Sequence, residues 1–249
     1  MQITPNIIIN GLTLYLKKQN TLILSDIHLG YEEALSKKGT LLPRFMLKDI
    51  IMRLEKTIQE LPQKPEKIII TGDLKHEFGE INEQEWREIL RLIDFLAKYT
   101  REIIVIKGNH DKFLSPITKK RNIILQDSVQ LDDYFILHGD EIPLIPKQTK
   151  TIIIGHEHCA IALRQKRRVE RYKCFIQGEI KIKKKEYNLI AMPSLNTITE
   201  GTDILQEKLL SPFLEQDLNH FLVFIVSGKN YDEVFEFGRV KQLRQMMVK

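Results

Sequence analysis

The sequence is poor in the features that mark several large protein classes. Its longest unbroken apolar runs, such as Phe221 to Val226, are far too short to span a bilayer. Residues Met1 to Asn10 show no basic segment followed by an apolar stretch, so no secretory signal is expected. There are only two cysteines, Cys159 and Cys174, which argues against a disulfide scaffold and makes a reducing cytoplasm the expected compartment. Both thiols are expected in the core as small apolar groups. Internal repeats, low-complexity tracts and long Gly/Ser/Pro linkers are all missing, so residues 1–249 read as one domain. A chain of that length can bury a sizeable core without staples. Apolar residues make up 43% and charged residues 29%, which excludes disordered, collagen-like and fibrous chains. Heavy use of Ile, Lys and Glu suits a thermophile or an AT-rich genome, and composition does not separate the two.

The net charge is +5 and the pI about 9.0. That charge is gathered. Between Arg164 and Tyr187 ten Lys or Arg face three acids, giving this segment +7 and leaving the rest of the chain at −2. The pattern from Tyr172 to Met192 predicts a hairpin with Lys183, Lys184 and Lys185 at its tip. Two readings stand side by side: neutralisation of a nucleic-acid backbone, or a solvated sheet edge protected by lysines.

Short β-branched runs recur at Ile7–Ile9, Leu22–Leu24, Ile68–Ile70, Ile103–Ile106, Phe135–Leu137 and Ile152–Ile154, as expected of buried strands. Helical patterns lie between them. One runs from Pro43 to about Glu60; another starts at Asn82, an N-cap with Glu85 three residues on. After residue 120 further strands are expected at 122–125, 172–177, 187–192, 221–226 and 233–237. The shift predicts an α/β start with a second, more antiparallel sheet packed on the first.

The residues just beyond each strand are informative. The apolar runs lead into Asp26-Ile27-His28, Gly72-Asp73, Gly108-Asn109-His110-Asp111, His138-Gly139-Asp140 and Gly155-His156-Glu157-His158. In open α/β sheets the ligand crevice lies outside the carboxyl ends of the strands, so all five could converge there. Asp26 and His28, one residue apart on a strand extension, can turn to the same side. Taken alone, each histidine is more simply a surface or core residue, and a lone Gly-Asp is a turn. Jointly, carboxylate, imidazole and amide oxygens suit two divalent ions such as Mn, Fe or Zn, with no thiolate set for structural zinc.

This series resembles the calcineurin-like metallophosphoesterase superfamily over residues 22–158. The resemblance implies a four-layer αββα sandwich of two mixed β-sheets flanked by helices, with residues 159–249 supplying second-sheet strands and the basic hairpin. It implies that Asp26, His28 and His158 hold one metal and Asn109, His138 and His156 the other, with Asp73 bridging. His110 would stand beside the metals as the catalytic imidazole, oriented by Asp111. The cofactor would be two divalent ions, Mn foremost, with Fe, Zn or Ni as alternatives, and a metal-bridging hydroxide would attack the phosphorus.

Gly72-Asp73-Leu74-Lys75-His76 is similar to the Gly-Asp-Leu-x-His of SbcD-like DNA repair nucleases, where the histidine helps position the nucleic-acid phosphate; Lys75 departs from the apolar residue often found there. The stretch from His28 to Arg44, with Gly155 to His158, resembles the small SbcD-related phosphoesterases, some of them associated with DNA ligases or helicases. The expected function is therefore a phosphodiesterase, foremost a DNA nuclease acting on single strands or ends, with His76 and Lys183–Lys185 binding substrate. A phosphodiesterase for small nucleotides is the alternative, and a non-catalytic scaffold is disfavoured by the complete ligand set. About 90 residues follow His158, so the ATPase partner of the full-length nucleases is not expected. Neither is a membrane partner.

Overall fold

Strands of four or five apolar residues alternate with amphipathic helices through the first half of the chain, and strands dominate the second. The protein is described by a computed structural model that covers residues 1–40, 43–79, 81–165 and 168–247. The first half contains β1 (Ile7–Asn10), β2 (Thr13–Leu16), β3 (Thr21–Leu24), α1 (Tyr31–Lys37), α2 (Met46–Gln59), β4 (Lys67–Ile70), α3 (Glu83–Leu96), β5 (Glu102–Ile106), α4 (Ser115–Lys120) and β6 (Ile124–Gln126). Its strands form one sheet in sequential order. β1, β2 and β3 are antiparallel, whereas β3, β4, β5 and β6 run parallel.

The second sheet takes β7 (Ser128–Leu131), β8 (Tyr134–Leu137), β9 (Thr151–Ile154), β10 (Cys159–Gln165), β11 (Arg168–Ile182), β12 (Lys185–Ala191), β13 (Thr202–Asp203), β14 (Leu222–Ser227) and β15 (Glu233–Arg239). β8, β9 and β12 are parallel and most of the rest antiparallel, so the sheet is mixed. α5 (Val240–Met247) follows it.

Side-chain alternation along the strands sorts the interior into layers. Ile136, Ile153, Phe175 and Ile190 point inward and join the core formed with the first sheet, α2 and α3. Their neighbours Phe135, Leu137, Ile152, Ile154, Cys174 and Ile176 point outward and pack beneath Phe213, Val240 and Leu243. Helices thus cover both outer faces of two mixed sheets, as expected. Both cysteines are free and buried, and burial raises both thiols' pKa. Among the described residues no helix is long and apolar enough to cross a membrane.

Several boundaries differ from the sequence reading. α2 starts at Met46 rather than Pro43, because its first free N–H groups, of Phe45 and Met46, are taken by Glu32 Oε1, each at 2.9 Å. Leu42 lies outside the described residues. Asn82 does cap α3: its side chain accepts from Glu85 N at 2.9 Å and Glu85 returns a bond to Asn82 N at 3.1 Å. The strand expected at 172–177 is the middle of the fifteen-residue β11. β2 and β10 had no distinct local signature; their partners on either side specify them.

Candidate metal centre

β3, β4, β5, β8 and β9 all end at the same rim, and the residues after them converge there. Asp26, His28, Asp73 and His158 place one donor atom each within 4.8 Å of one another, and so do Asp73, His138 and His156. In the first group His28 Nε2 is 3.0 Å from His158 Nε2 and 3.6 Å from Asp73 Oδ2, and His158 Nε2 is 3.7 Å from Asp26 Oδ1. In the second, His138 Nε2 is 3.5 Å from Asp73 Oδ2, 3.1 Å from His156 Nδ1 and 3.0 Å from Asn109 Oδ1. Asp73 belongs to both groups, which is the arrangement expected of a bridging carboxylate. His138 Nδ1 faces the Thr71 carbonyl at 2.9 Å, so that nitrogen carries the proton and Nε2 offers its lone pair inward.

The backbone makes this convergence. Asp26, His28, Asp73, His156 and His158 all have left-handed φ, between 47° and 64°. Non-glycine residues visit that region at a cost, and such strain concentrates at functional sites. Asp26 and His28 are therefore not a strand extension, as the spacing suggested; β3 stops at Leu24 and two left-handed residues turn the side chains to one side. Two glycines are required by proximity. A Cβ on Gly108 would lie 2.2 Å from Asp73 Oδ1, and one on Gly155 would lie 2.6 Å from Asp26 Oδ2.

The electrostatics suit cations. Burial pushes the Asp73 carboxyl up to about 8, against the pull of His138 and aided by the charges of Asp26 and Asp111. Asp26 goes the other way: burial opposes ionisation, but the imidazoles of His158, His138 and His28 outweigh it. Burial lowers His28 and takes His156 down to about 4, leaving neutral imidazoles with available lone pairs. Converging imidazole nitrogens at 3.0–3.1 Å, two carboxylates and an amide oxygen form an N/O donor set fit for Mn, Fe or Zn.

His110 stands next to these donors. Its N–H donates to Asp73 Oδ1 at 3.0 Å, its Nδ1 contacts the His76 carbonyl, and its Nε2 lies 3.8 Å from Asp73 Oδ2. The expected orienting bond from Asp111 is not what holds the ring. The buried Asp111 carboxylate accepts instead from Leu74 N and Gly108 N, each at 3.1 Å, and from Lys75 N, bracing the loops after β4 and β5. The His76 carbonyl takes over the orienting role.

His76 reaches the site rim, its ring centroid 5.6 Å from those of both His28 and His110. Lys75 permits this: buried, it turns its ammonium onto the carbonyls of Glu77 and Gly79 and so holds the loop. Sequence reasoning missed two aromatic neighbours. Tyr31 meets His76 edge-on at 4.5 Å, and Phe78, 59% exposed, stacks on His110 with centroids 3.7 Å apart. Phe78, two residues beyond the motif histidine, carries no signal of its own.

The basic segment is split by the fold. β12 runs parallel to β9, with Ala191 opposite Ile154 at the site rim. Lys183 and Lys184, in the turn before β12, therefore lie seven or more residues back, roughly 20 Å away at the opposite end of the sheet. The structure does not bring Lys183, Lys184 or Lys185 to the metal donors. Lys185 donates to the carbonyls of Lys147 and Thr149, and β12 pairs with β9 only from Asn188 onward, so the ladder beside Lys185 has a strand on one side alone, in keeping with the sheet-edge reading. Arg171 is engaged by Glu207 and Glu200. Lys173 is buried, and its ammonium has no partner among the described residues. Lys166 and Arg167 lie outside the described residues.

Residues 20–228 match the family model of calcineurin-like phosphoesterases. The chain belongs to that family, whose members are metal-dependent hydrolases. Among solved structures, the nuclease MPE of Pseudomonas putida superposes with a TM-score of 0.61 at 17% identity, covering 93% of this chain and 94% of that one. A protein of unknown function from Aquifex aeolicus, AQ665, gives a TM-score of 0.36 at 15% identity over 55% of this chain and 77% of that one, too low to bear on the fold. None of the curated proteins matches the chain.

Proposed function

We propose that this protein is a two-metal phosphodiesterase that cleaves nucleic acid, foremost single strands or ends of DNA during repair, with Mn²⁺ as the working ion. The observation that carries this reading is Asp73, shared by two donor groups and hydrogen-bonded to the backbone of His110. Asp26, His28 and His158 would hold one ion, and Asn109, His138 and His156 the other. Bound there, the ions would supply positive charge to phosphate oxygens and acidify water.

The protein's own groups do the rest. With Nδ1 against the His76 carbonyl, His110 directs Nε2 into the site, where its second proton can pass to the leaving oxygen. Burial lowers the pKa of His110, and the negative charge of an incoming phosphate is the counter-ion that would restore its proton. Asp111 acts through the loops it braces. Phe78 supports a substrate with a flat base, because its exposed ring is the wall beside His110. The repair assignment is supported by the Gly72 to His76 motif, and the Pseudomonas putida neighbour is itself named a nuclease.

The test is turnover in Mn²⁺ on a chromogenic phosphodiester, a phosphomonoester, and labelled single- and double-stranded DNA. Cleavage of the diester and of single-stranded DNA is expected. Hydrolysis of the monoester alone would overturn the diesterase assignment, and hydrolysis of the small diester without DNA cleavage would redirect it to small phosphodiesters.

A further inference from the structure

Outside the metal centre a second cavity, of about 500 Å³, opens between α2 and α3 with Glu32 of α1 at one end. Its walls are two facing helical stripes. Arg44, Leu47, Lys48 and Ile51 come from α2 and the residues before it, and Gln84, Arg87, Glu88 and Arg91 from α3. The α3 set follows the spacing i, i+3, i+4, i+7, and Leu47, Lys48 and Ile51 share one face of α2 with Arg44 just before it, the face by which a helix ordinarily buries apolar residues against its neighbour. Here that face stays open and carries four cations.

The acids in the cavity are already committed. Glu32 accepts from Phe45 N and Met46 N, and Glu88 from Gly30 N at 3.2 Å and Gln84 at 2.7 Å. At the rim Arg44 pairs with Glu33, and Arg87 reaches Glu83 only at 4.0 Å. Lys48 and Arg91 have no ion-pair or hydrogen-bond partner among the described residues. Two of these placements are unfavourable for an isolated protein. Arg87 and Arg91 are like charges at i, i+4, and Lys48 sits in the first turn of α2, where the helix dipole disfavours a cation. A bound polyanion relieves both.

The cavity also adjoins the metal centre. Glu85 of α3 accepts from His76 N and Glu77 N, and the Glu88 bond to Gly30 N ties the next turn to the loop behind His28. From Gln84 to Arg91 the cleft extends about 10 Å along the helix. That is room for about two phosphates of one strand, whose neighbours stand farther apart than the ~3.4 Å axial rise of a duplex.

We infer that Arg44, Lys48, Arg87 and Arg91 form a backbone-binding cleft for the nucleic-acid strand flanking the scissile phosphate. The inference rests on the nuclease reading and adds to it the path of the strand across the helical face.

The experiment measures kcat/KM in Mn²⁺ for a fluorescent oligothymidylate over a salt series, comparing wild type with Arg87→Gln/Arg91→Gln. A Lys17→Gln/Lys18→Gln variant removes the same charge from an exposed turn before β3, at the end of that strand away from the metal donors. Glutamine is a good helix former, and the exchange relieves the i, i+4 repulsion, so α3 is retained. The cleft variant should lose about ten-fold at low salt, and its log–log salt slope should be shallower by about 1.4, the value for two single-strand phosphate contacts. If wild type cleaves the oligonucleotide and the cleft variant falls no further than the Lys17/Lys18 control, the cleft is overturned and the nuclease reading stands. If wild type hydrolyses a chromogenic diester but leaves the oligonucleotide intact at every salt concentration, the nuclease reading fails and the cleft with it.

Discussion

The backbone N–H of His110 donates to Asp73 Oδ1 at 3.0 Å, while the other oxygen of the same carboxylate faces His28 and His138 at 3.6 and 3.5 Å. One carboxylate therefore joins the donor cluster to the residue proposed to move a proton. Removing the His110 side chain leaves this backbone bond in place. His110→Ala should keep its metal content, read by elemental analysis, and lose about 10²–10⁴ in kcat on a phosphodiester. A fall in bound metal would make His110 a ligand.

Asp73→Ala should empty both positions together, because both donor groups lose the same oxygen pair. Stoichiometry of Mn²⁺ after gel filtration reads this out. A variant that still held two ions would contradict the bridging role.

The same carboxyl predicts how metal uptake depends on pH. With its pKa raised to about 8 by burial, Asp73 is protonated in the metal-free protein at pH 6–7 and must lose that proton to ligate. Apparent Mn²⁺ affinity should fall as pH drops from about 8 to 6, approaching ten-fold per unit, with a proton released on binding. Titration calorimetry in buffers of differing ionisation enthalpy measures the release. A pH-independent affinity with no proton released would sink this account.

Phe78 is exposed on one side and stacked on His110 on the other. If its ring meets a nucleobase, Phe78→Ala should raise KM for single-stranded DNA by roughly 5- to 150-fold, the range of one base–aromatic stack. Phe78→Trp should restore most of the loss. An equal loss on a chromogenic diester would instead mean that the ring only steadies His110.

Lys173 is buried without a hydrogen-bond partner among the described residues, and burial takes its pKa down to about 7 although Asp26 pulls it up. An unpaired buried polar group costs about 1–3 kcal/mol. Lys173→Met should therefore raise the thermal midpoint. A lower midpoint would reveal an interaction that holds the ammonium in place.

The candidate metal donors that converge in the fold could be picked out along the chain because each belongs to a local unit. An apolar strand, a sharp turn and a polar side chain lie close together in sequence, and the parallel order of β3, β4 and β5 then brings the strand ends to one rim. The same locality made Asn82 and Glu85 recognisable as a cap. Asp111 shows where this stops. The family resemblance implied that it orients His110, but the carboxylate turns toward three backbone N–H groups of two loops, and the His76 carbonyl, 34 residues away, holds the ring.

Charge was the least local property. The cluster from Arg164 to Lys185 is continuous along the chain, yet β11 carries it from one end of the second sheet to the other, burying Lys173 and leaving Lys183 and Lys184 far from the donors. Lys48, Arg87 and Arg91 look unremarkable in sequence, and with Arg44 they meet across one cavity. The chain alone identifies the chemistry, since ligand type and strand-end turns are short-range features. Where the positive field lies depends on strand direction and on which helix faces which, and both are set by packing between segments distant in sequence.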